Sequence, residues 1–126
     1  MEAKPAAGGH HPGAAQTDNT VQLRGRVSGK EEQRELPSGD HVRMLRVVVP
    51  RPPRRGRAAA VDAIDVACWS ASTRRVADRV DVGECVAVSG SLRRRFFKTG
   101  AGVTSRYEVE AASLQQPAAL TGRLRL

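Results

Sequence analysis

Residues 84–98 read ECVAVSGSLRRRFFK, and this stretch decides the fold class. Val86, Val88 and Leu92 recur at even spacing. Because the side chains of a strand point alternately to its two faces, this alternation predicts a strand with these three residues inside. Gly90 interrupts the alternation and predicts a bend or bulge. The stretch therefore predicts one bent strand of a sheet.

The end of this strand places three consecutive arginines directly before the chain's two phenylalanines. Alternation puts Arg93, Arg95 and Phe97 on one face and Arg94 and Phe96 on the other. Mixed Arg and Phe make a poor core, but they suit a phosphate backbone and a stacked base. The other reading is a solvated strand end. We favour Arg93 and Arg95 over Arg94 as ligand contacts.

Alternation also predicts strands elsewhere along the chain. The stretches are TVQLRGRV (20–27), HVRMLRVVV (41–49), VDAIDVACW (61–69) and VTSRYEVEA (103–111). Residues 70–80, SASTRRVADRV, change to a helical period. The order predicts an all-β fold, a five-stranded OB-fold barrel with one short helix between strands 3 and 4, since closing the sheet removes most of its edges.

The last strand also has two predicted faces. Tyr107 alternates with Val109, so we expect it in the core, although it could also stack on a base. Glu108 and Glu110 share the opposite face and are expected in solvent. Residues 1–18 are expected to be a disordered leader, 19–114 the folded domain, and 115–126 a short basic tail.

The chain of 126 residues has a formal net charge of +8. Most of the excess lies within residues 19–114, which favours polyanionic partners, nucleic acid before an anionic membrane surface. The alternative is that the positive charge serves only to keep the protein soluble. No apolar run is long enough for a membrane span, and the N-terminus lacks a secretory signal. We expect a cytoplasmic, nucleoid-associated protein.

The sequence gives little support for a catalytic, metal or cofactor site. Cys68 and Cys85 lie in apolar segments without metal-ligand spacing, so we interpret them as reduced core residues. His10 and His11 form an isolated pair in a Gly- and Pro-rich stretch. No Ser-His-acid order and no phosphate-cradling loop is present. We predict no enzyme activity, no metal and no cofactor.

Several stretches resemble the bacterial single-stranded DNA-binding protein family. They are NTVQLRGRV, RELPSGDHVRMLRVVV, IDVACW and VGECVAVSGSLRRRFF, in the family's order and spacing over about residues 19–114. The resemblance implies an OB fold, sequence-tolerant binding of single-stranded DNA, no catalysis and usually a homotetramer, with a dimer also open. Roles in DNA replication, recombination or repair follow from it.

The resemblance also implies binding residues. Trp69, at the end of the third strand, and Phe97, with Phe96 beside it, match stacking aromatics. The alternative for Trp69 is a core or interface position, and for the loop 51–57 a flexible basic linker. Basic residues expected on the same surfaces are Arg24, Arg26, Arg51, Arg54, Arg55, Arg57, Arg93, Arg95 and Lys98.

The sequence departs from the family pattern in several places. Pro52, Pro53 and Ala63 stand where members often carry aromatics, and Asp65 shares the predicted face of Trp69. The chain ends TGRLRL, without the family's acidic tip, so recruitment of repair enzymes through such a tip is not expected. Two other functions stay open: an RNA-binding or primosome-type OB module, and an OB domain serving mainly protein–protein assembly.

Overall fold

The computed structural model of the protein describes residues 16–117. Its elements are β1 (Val21–Lys30), β2 (Arg34–Glu35), β3 (His41–Pro50), β4 (Val61–Cys68), α1 (Ala71–Arg79), β5 (Cys85–Thr99) and β6 (Gly102–Gln115). The predicted leader and tail, with His10 and His11, lie largely outside the described residues. Gln115, assigned to the tail, belongs to the last strand.

Five long strands close into a barrel. Neighbouring strands follow the order β1, β5, β6, β4, β3, and β1 also pairs with β3. β4 and β6 run parallel, and the other neighbours are antiparallel. The predicted OB barrel is confirmed, with its helix between β4 and β5. The two-residue β2, which the sequence did not reveal, pairs only with the start of β3.

Strand β1 closes the barrel by changing partner. Its first part pairs with β5 up to Arg26, and its second part pairs with β3 from Arg26 onward. Gly25 lies at this change, and a Cβ there would sit 2.3 Å from the carbonyl oxygen of Val48. Only glycine lets the two backbones approach this closely.

The barrel interior holds the alternating apolar side chains, most of them valine. Its fully buried members include Val27, Leu45, Val47, Val66, Cys68, Val86, Val88 and Val109. Val86 and Val88, which alternation predicted to be inside, are thus confirmed as interior. Each fully buried side chain of this size stabilises the fold by roughly 1.5–3 kcal/mol.

Helix α1 packs on this core through Ala77, and Val80, its C-cap, is also buried in it. Ser70 caps its start by accepting a hydrogen bond from the Thr73 amide at 3.2 Å. At the other end, Lys30 Nζ donates to the carbonyl of Val80 at 2.8 Å, a favourable place for a cation near a helix C-terminus. No helix within residues 16–117 is long and apolar enough to cross a bilayer.

The β5–β6 hairpin extends beyond the barrel. Its register shifts between Ser89 and Gly90, which confirms the bulge predicted at Gly90. Leu92, expected inside, is 44% exposed, and Tyr107, expected in the core, is 58% exposed. Both predictions were wrong, because no described residue covers the face that is interior within the barrel once the hairpin leaves the barrel.

Candidate nucleic-acid interface

The projecting part of the hairpin, residues 93–108, is called the arm below. Opposed residues of an antiparallel pair lie on the same side of the sheet, so the register assigns the arm two faces. The front face consists of Arg93, Arg95, Phe97, Thr104, Arg106 and Glu108. The rear face consists of Arg94, Phe96, Lys98, Val103, Ser105 and Tyr107. The predicted separation of Phe97 from Phe96 is therefore present.

The front face borders a groove of about 610 Å³ between the arm and the barrel. Its walls combine one aromatic ring with basic and acidic side chains. The charged and aromatic members are Phe97, Arg106 and Glu108 from the arm, and Lys30, Glu31, Arg34, Arg46 and Asp65 from the barrel side. Phe97 is 38% exposed, and the guanidinium carbon of Arg106 lies 5.0 Å from the centre of its ring. An open ring beside cations can hold a base and its phosphate.

Trp69 lies immediately after β4. Arg74 and Arg95 contact it, and the polar edge of its ring is enclosed. The residue is half-buried, and Nε1 has no solvent access and no hydrogen-bond partner among the described residues. The carbonyl of Trp69 accepts a hydrogen bond from Arg74, and the Arg95 guanidinium lies over the ring. The polar edge therefore points inward, and one face of the ring meets a cation. The ring is not sealed in the core.

Two predicted arginines of the front face form ion pairs with the last strand. Arg95 Nε lies 2.8 Å from Glu108 Oε2, and Arg93 Nε lies 3.5 Å from Glu110 Oε1. The Glu108 side chain is only 11% exposed, so the expectation that it faces solvent was wrong. The arginine row covers it, because the register places Glu108 opposite Arg93 and diagonal to Arg95. These arginines are partly neutralised before any ligand arrives.

Asp65 and Arg46 also pair in the groove. Arg46 Nη2 lies 3.2 Å from Asp65 Oδ1, so the carboxylate that would repel phosphate is partly neutralised. Sequence reasoning missed Arg46, Arg106, Lys30 and Arg34 as groove residues. A signal existed for Arg46, because the alternation that places Leu45 and Val47 inside places Arg46 outside.

The loop between β3 and β4 carries four of the predicted basic residues. Arg51 pairs with Asp62 at 2.8 Å, and this hydrogen-bonded pairing raises the pKa of Arg51. Arg54, Arg55 and Arg57 are exposed, and none of them forms a salt bridge among the described residues. The loop does not line the groove, so its arginines remain a separate cationic segment.

The remaining predicted residues are spread over other surfaces. Arg24 borders a second concavity on β1, β5 and β6 that shares no residue with the groove. Arg26 Nη1 donates to the carbonyl of Gly83 at 3.0 Å. Phe96 and Lys98 lie on the rear face of the arm. The structure therefore gathers Phe97 into the groove, places Arg95 against Trp69, and leaves Arg24 and Arg26 elsewhere.

The cysteines and the acidic residues of residues 16–117 form no group that could hold a metal ion. Cys68 and Cys85 are free thiols. Burial raises the pKa of the Cys68 thiol to about 11, against smaller opposing effects of Thr73 and Arg43. Cys68 is therefore a protonated core side chain at neutral pH.

Comparison with known proteins agrees with this architecture. No protein with a curated description matches the sequence. A solved structure described as "Plasmodium falciparum SSB complex with ssDNA" aligns with a TM-score of 0.69 at 20% identity, over 79% of this chain and 95% of that chain. At this identity the likeness shows a shared fold. The model of the "Single-strand binding protein family" matches residues 18–116, and the chain therefore belongs to the single-strand binding protein family.

Proposed function

We propose that this protein binds single-stranded DNA with little sequence preference, through guanidinium groups that neutralise phosphates and aromatic rings that stack on bases. Family membership supports the ligand. The observation that carries the mechanism is the groove beside the arm, where Phe97 is open and lies against Arg106. A ring stacks on any base, and a cation meets any phosphate, so this chemistry is tolerant of sequence.

Trp69 forms the second stacking position in this proposal. Its ring is already covered by a guanidinium in the free protein, as a base would cover it in the complex. Arg95 then moves from the ring to a phosphate when the strand enters. Binding without catalysis follows from the same residues, which offer cations and rings but no activated nucleophile.

The test is a fluorescence titration with oligo-dT across a salt series. Trp69 is the only tryptophan, so its emission reports the proposed site directly. We expect quenching on binding, and log K should fall with log salt by about 0.7 per neutralised phosphate. Binding without salt dependence, or no binding at low salt, would contradict the proposal. Competition with oligo-U of equal length separates DNA preference from the RNA-binding alternative.

We further propose a homo-oligomeric assembly, a tetramer or a dimer, acting in the cytoplasm at the nucleoid in DNA replication, recombination or repair. The resemblance to bacterial members of the family supports this. Light scattering coupled to gel filtration tests the assembly, and a monomer at working concentration would refute it. Strong oligomerisation with negligible affinity for oligo-dT would instead favour the protein–protein assembly alternative.

A further inference from the structure

The rear face of the arm has a composition that the groove does not explain. Phe96 is 67% exposed and Tyr107 58% exposed, with Val103 and Leu92 also open. Between residues 93 and 108 this face carries two cations, Arg94 and Lys98, and no acid. Contiguous exposed apolar surface on a small domain marks a binding site more often than a solvated face.

Arg94 lies between the two rings. Its guanidinium carbon is 5.3 Å from the centre of the Phe96 ring and 5.4 Å from that of Tyr107. Nε and Nη2 donate to Ser105 Oγ at 3.2 and 3.0 Å. A guanidinium has five N–H donors, so the remaining donors are open to a ligand. The hydroxyl is neutral, so the full charge of Arg94 stays uncompensated.

The two faces of the arm therefore differ in their free charge. On the front, Glu108 and Glu110 hold Arg93 and Arg95, and Arg106 alone of the three arginines forms no salt bridge with a described residue. On the rear, Arg94 and Lys98 form no salt bridge with any described residue. Both cations of the rear face are thus available to a ligand, although the sequence favoured Arg93 and Arg95 over Arg94 as ligand contacts.

We propose that the rear face of the arm is a second binding surface for unpaired nucleic acid, with bases stacking on Phe96 and Tyr107 and phosphates meeting Arg94 and Lys98. Open rings beside unpaired cations match an unpaired strand, which presents base faces and phosphates in alternation. The proposal rests on the proposed function, and it extends the path of the same strand around the arm.

A second copy of the chain is the other occupant that exposed rings allow. Symmetric self-association of this face would bring Arg94 and Lys98 against the same two cations of the partner. Like charges at an interface are unfavourable by several kcal/mol. The charge on this face therefore favours a polyanion over a second copy.

The test uses Tyr107, the only tyrosine in the chain. Uniform 3-fluorotyrosine labelling gives one ¹⁹F resonance from the rear face, while Trp69 fluorescence reports the stacking position beside Arg95. We expect saturating oligo-dT to shift or broaden the ¹⁹F resonance and to quench Trp69. Quenching without a ¹⁹F change overturns the rear-face proposal and leaves the proposed stacking on Trp69 intact. Absence of both signals overturns the proposed function itself, and a ¹⁹F change with protein concentration alone assigns the face to self-association.

A variant series checks that the ¹⁹F change reflects contact. Phe96→Ser/Tyr107→Thr should weaken binding at least tenfold to oligo-dT on the order of 30 nucleotides, longer than the roughly 4–16 that one OB fold covers. Arg94→Gln should lower the salt slope by about 0.7. Val82→Ser removes an equally exposed apolar side chain (60%) from the turn before β5 and should leave affinity unchanged. Equal affinity of the double variant and the Val82 control would refute the proposal.

Discussion

The guanidinium carbon of Arg95 lies 5.4 Å from the centre of the Trp69 ring, while Nε of the same group lies 2.8 Å from Glu108. A single cation is thus shared between an aromatic face and the nearby carboxylate of Glu108, with a longer contact of 3.5 Å from its Nη2 to Glu110. A base that stacks on this face must displace Arg95. Because Glu108 holds Arg95 in place, the carboxylate opposes ligand entry at the position where the ring would otherwise be free.

Replacing Glu108 by glutamine should strengthen DNA binding. The amide holds the guanidinium less tightly than the carboxylate does, so Arg95 reaches a phosphate more readily. We expect a higher affinity for oligo-dT at low salt and a salt slope steeper by about 0.7. Asp81→Asn makes the same change of net charge in the turn after α1. If both variants gain equally, the effect is one of net charge, and the shared-cation account is wrong.

Replacing Phe97 by alanine should weaken binding without unfolding the protein. Loss of one stacked base corresponds to roughly 1–3 kcal/mol, which is about five- to 150-fold in affinity. The ring is 38% exposed, so the thermal midpoint should change little. The measurement is oligo-dT titration beside thermal unfolding. Full affinity in the variant would remove Phe97 from the site.

Replacing Arg54, Arg55 and Arg57 together by serine tests the loop between β3 and β4. These side chains are exposed and unpaired with any described acid, so each is free to release one counterion from a bound strand. We expect the salt slope to fall by about two, since each phosphate contributes about 0.7. The α1 variant Arg75→Ser should leave the slope unchanged. An unaltered slope in the triple variant would mark the loop as a mere linker.

Adding one methyl group at Gly25 should destabilise the barrel. Its Cβ would lie 2.3 Å from the Val48 carbonyl oxygen, so the junction between β1 and β3 must open. We expect Gly25→Ala to lower the free energy of unfolding by roughly 1–3 kcal/mol or more. Gly29→Ala, in the same strand, meets its nearest atom at 3.9 Å and should be tolerated. Urea unfolding compares the two, and equal stability would contradict the close approach.

Stability should fall at high pH because of Cys68. The folded pKa of this thiol is raised to about 11 by burial, whereas an unfolded thiol titrates near 8.5. The protonated form is thus favoured by folding, and its contribution is complete below about pH 8.5 and lost as pH rises to about 11. A pKa difference of about 2.5 at about 1.4 kcal/mol per pKa unit makes this loss roughly 3–4 kcal/mol. Urea unfolding of Cys68→Ala across this pH range should not show this loss of stability. If the variant loses as much stability as the unaltered protein, the role of Cys68 is refuted.

The alternation of apolar residues in the sequence predicted most of the fold, because the barrel buries one face of each strand. It identified Val86 and Val88 as interior. It failed at Leu92 and Tyr107, because alternation reports which side of a strand a residue is on, and not where the strand leaves the barrel.

The ion pairs of the site could not be predicted from the sequence for a related reason. Which acid meets Arg95 depends on the register of the β5–β6 hairpin, and the register shift near Gly90 changes that pairing. The groove likewise joins Phe97 to Arg46 and Lys30, residues far apart in the chain that only closure of the barrel brings together.

The strict face assignment of the arm constrains how its length can vary. One residue inserted into each strand of the hairpin beyond the Leu92–Val109 pair would preserve pairing but turn every outer side chain to the opposite side. Phe97 would then leave the groove and Phe96 would enter it. Insertions of two residues per strand would keep both surfaces and move them outward by about 7 Å. Lengthening of this hairpin is therefore tolerated in steps of two residues, and odd steps exchange the roles of its two phenylalanines.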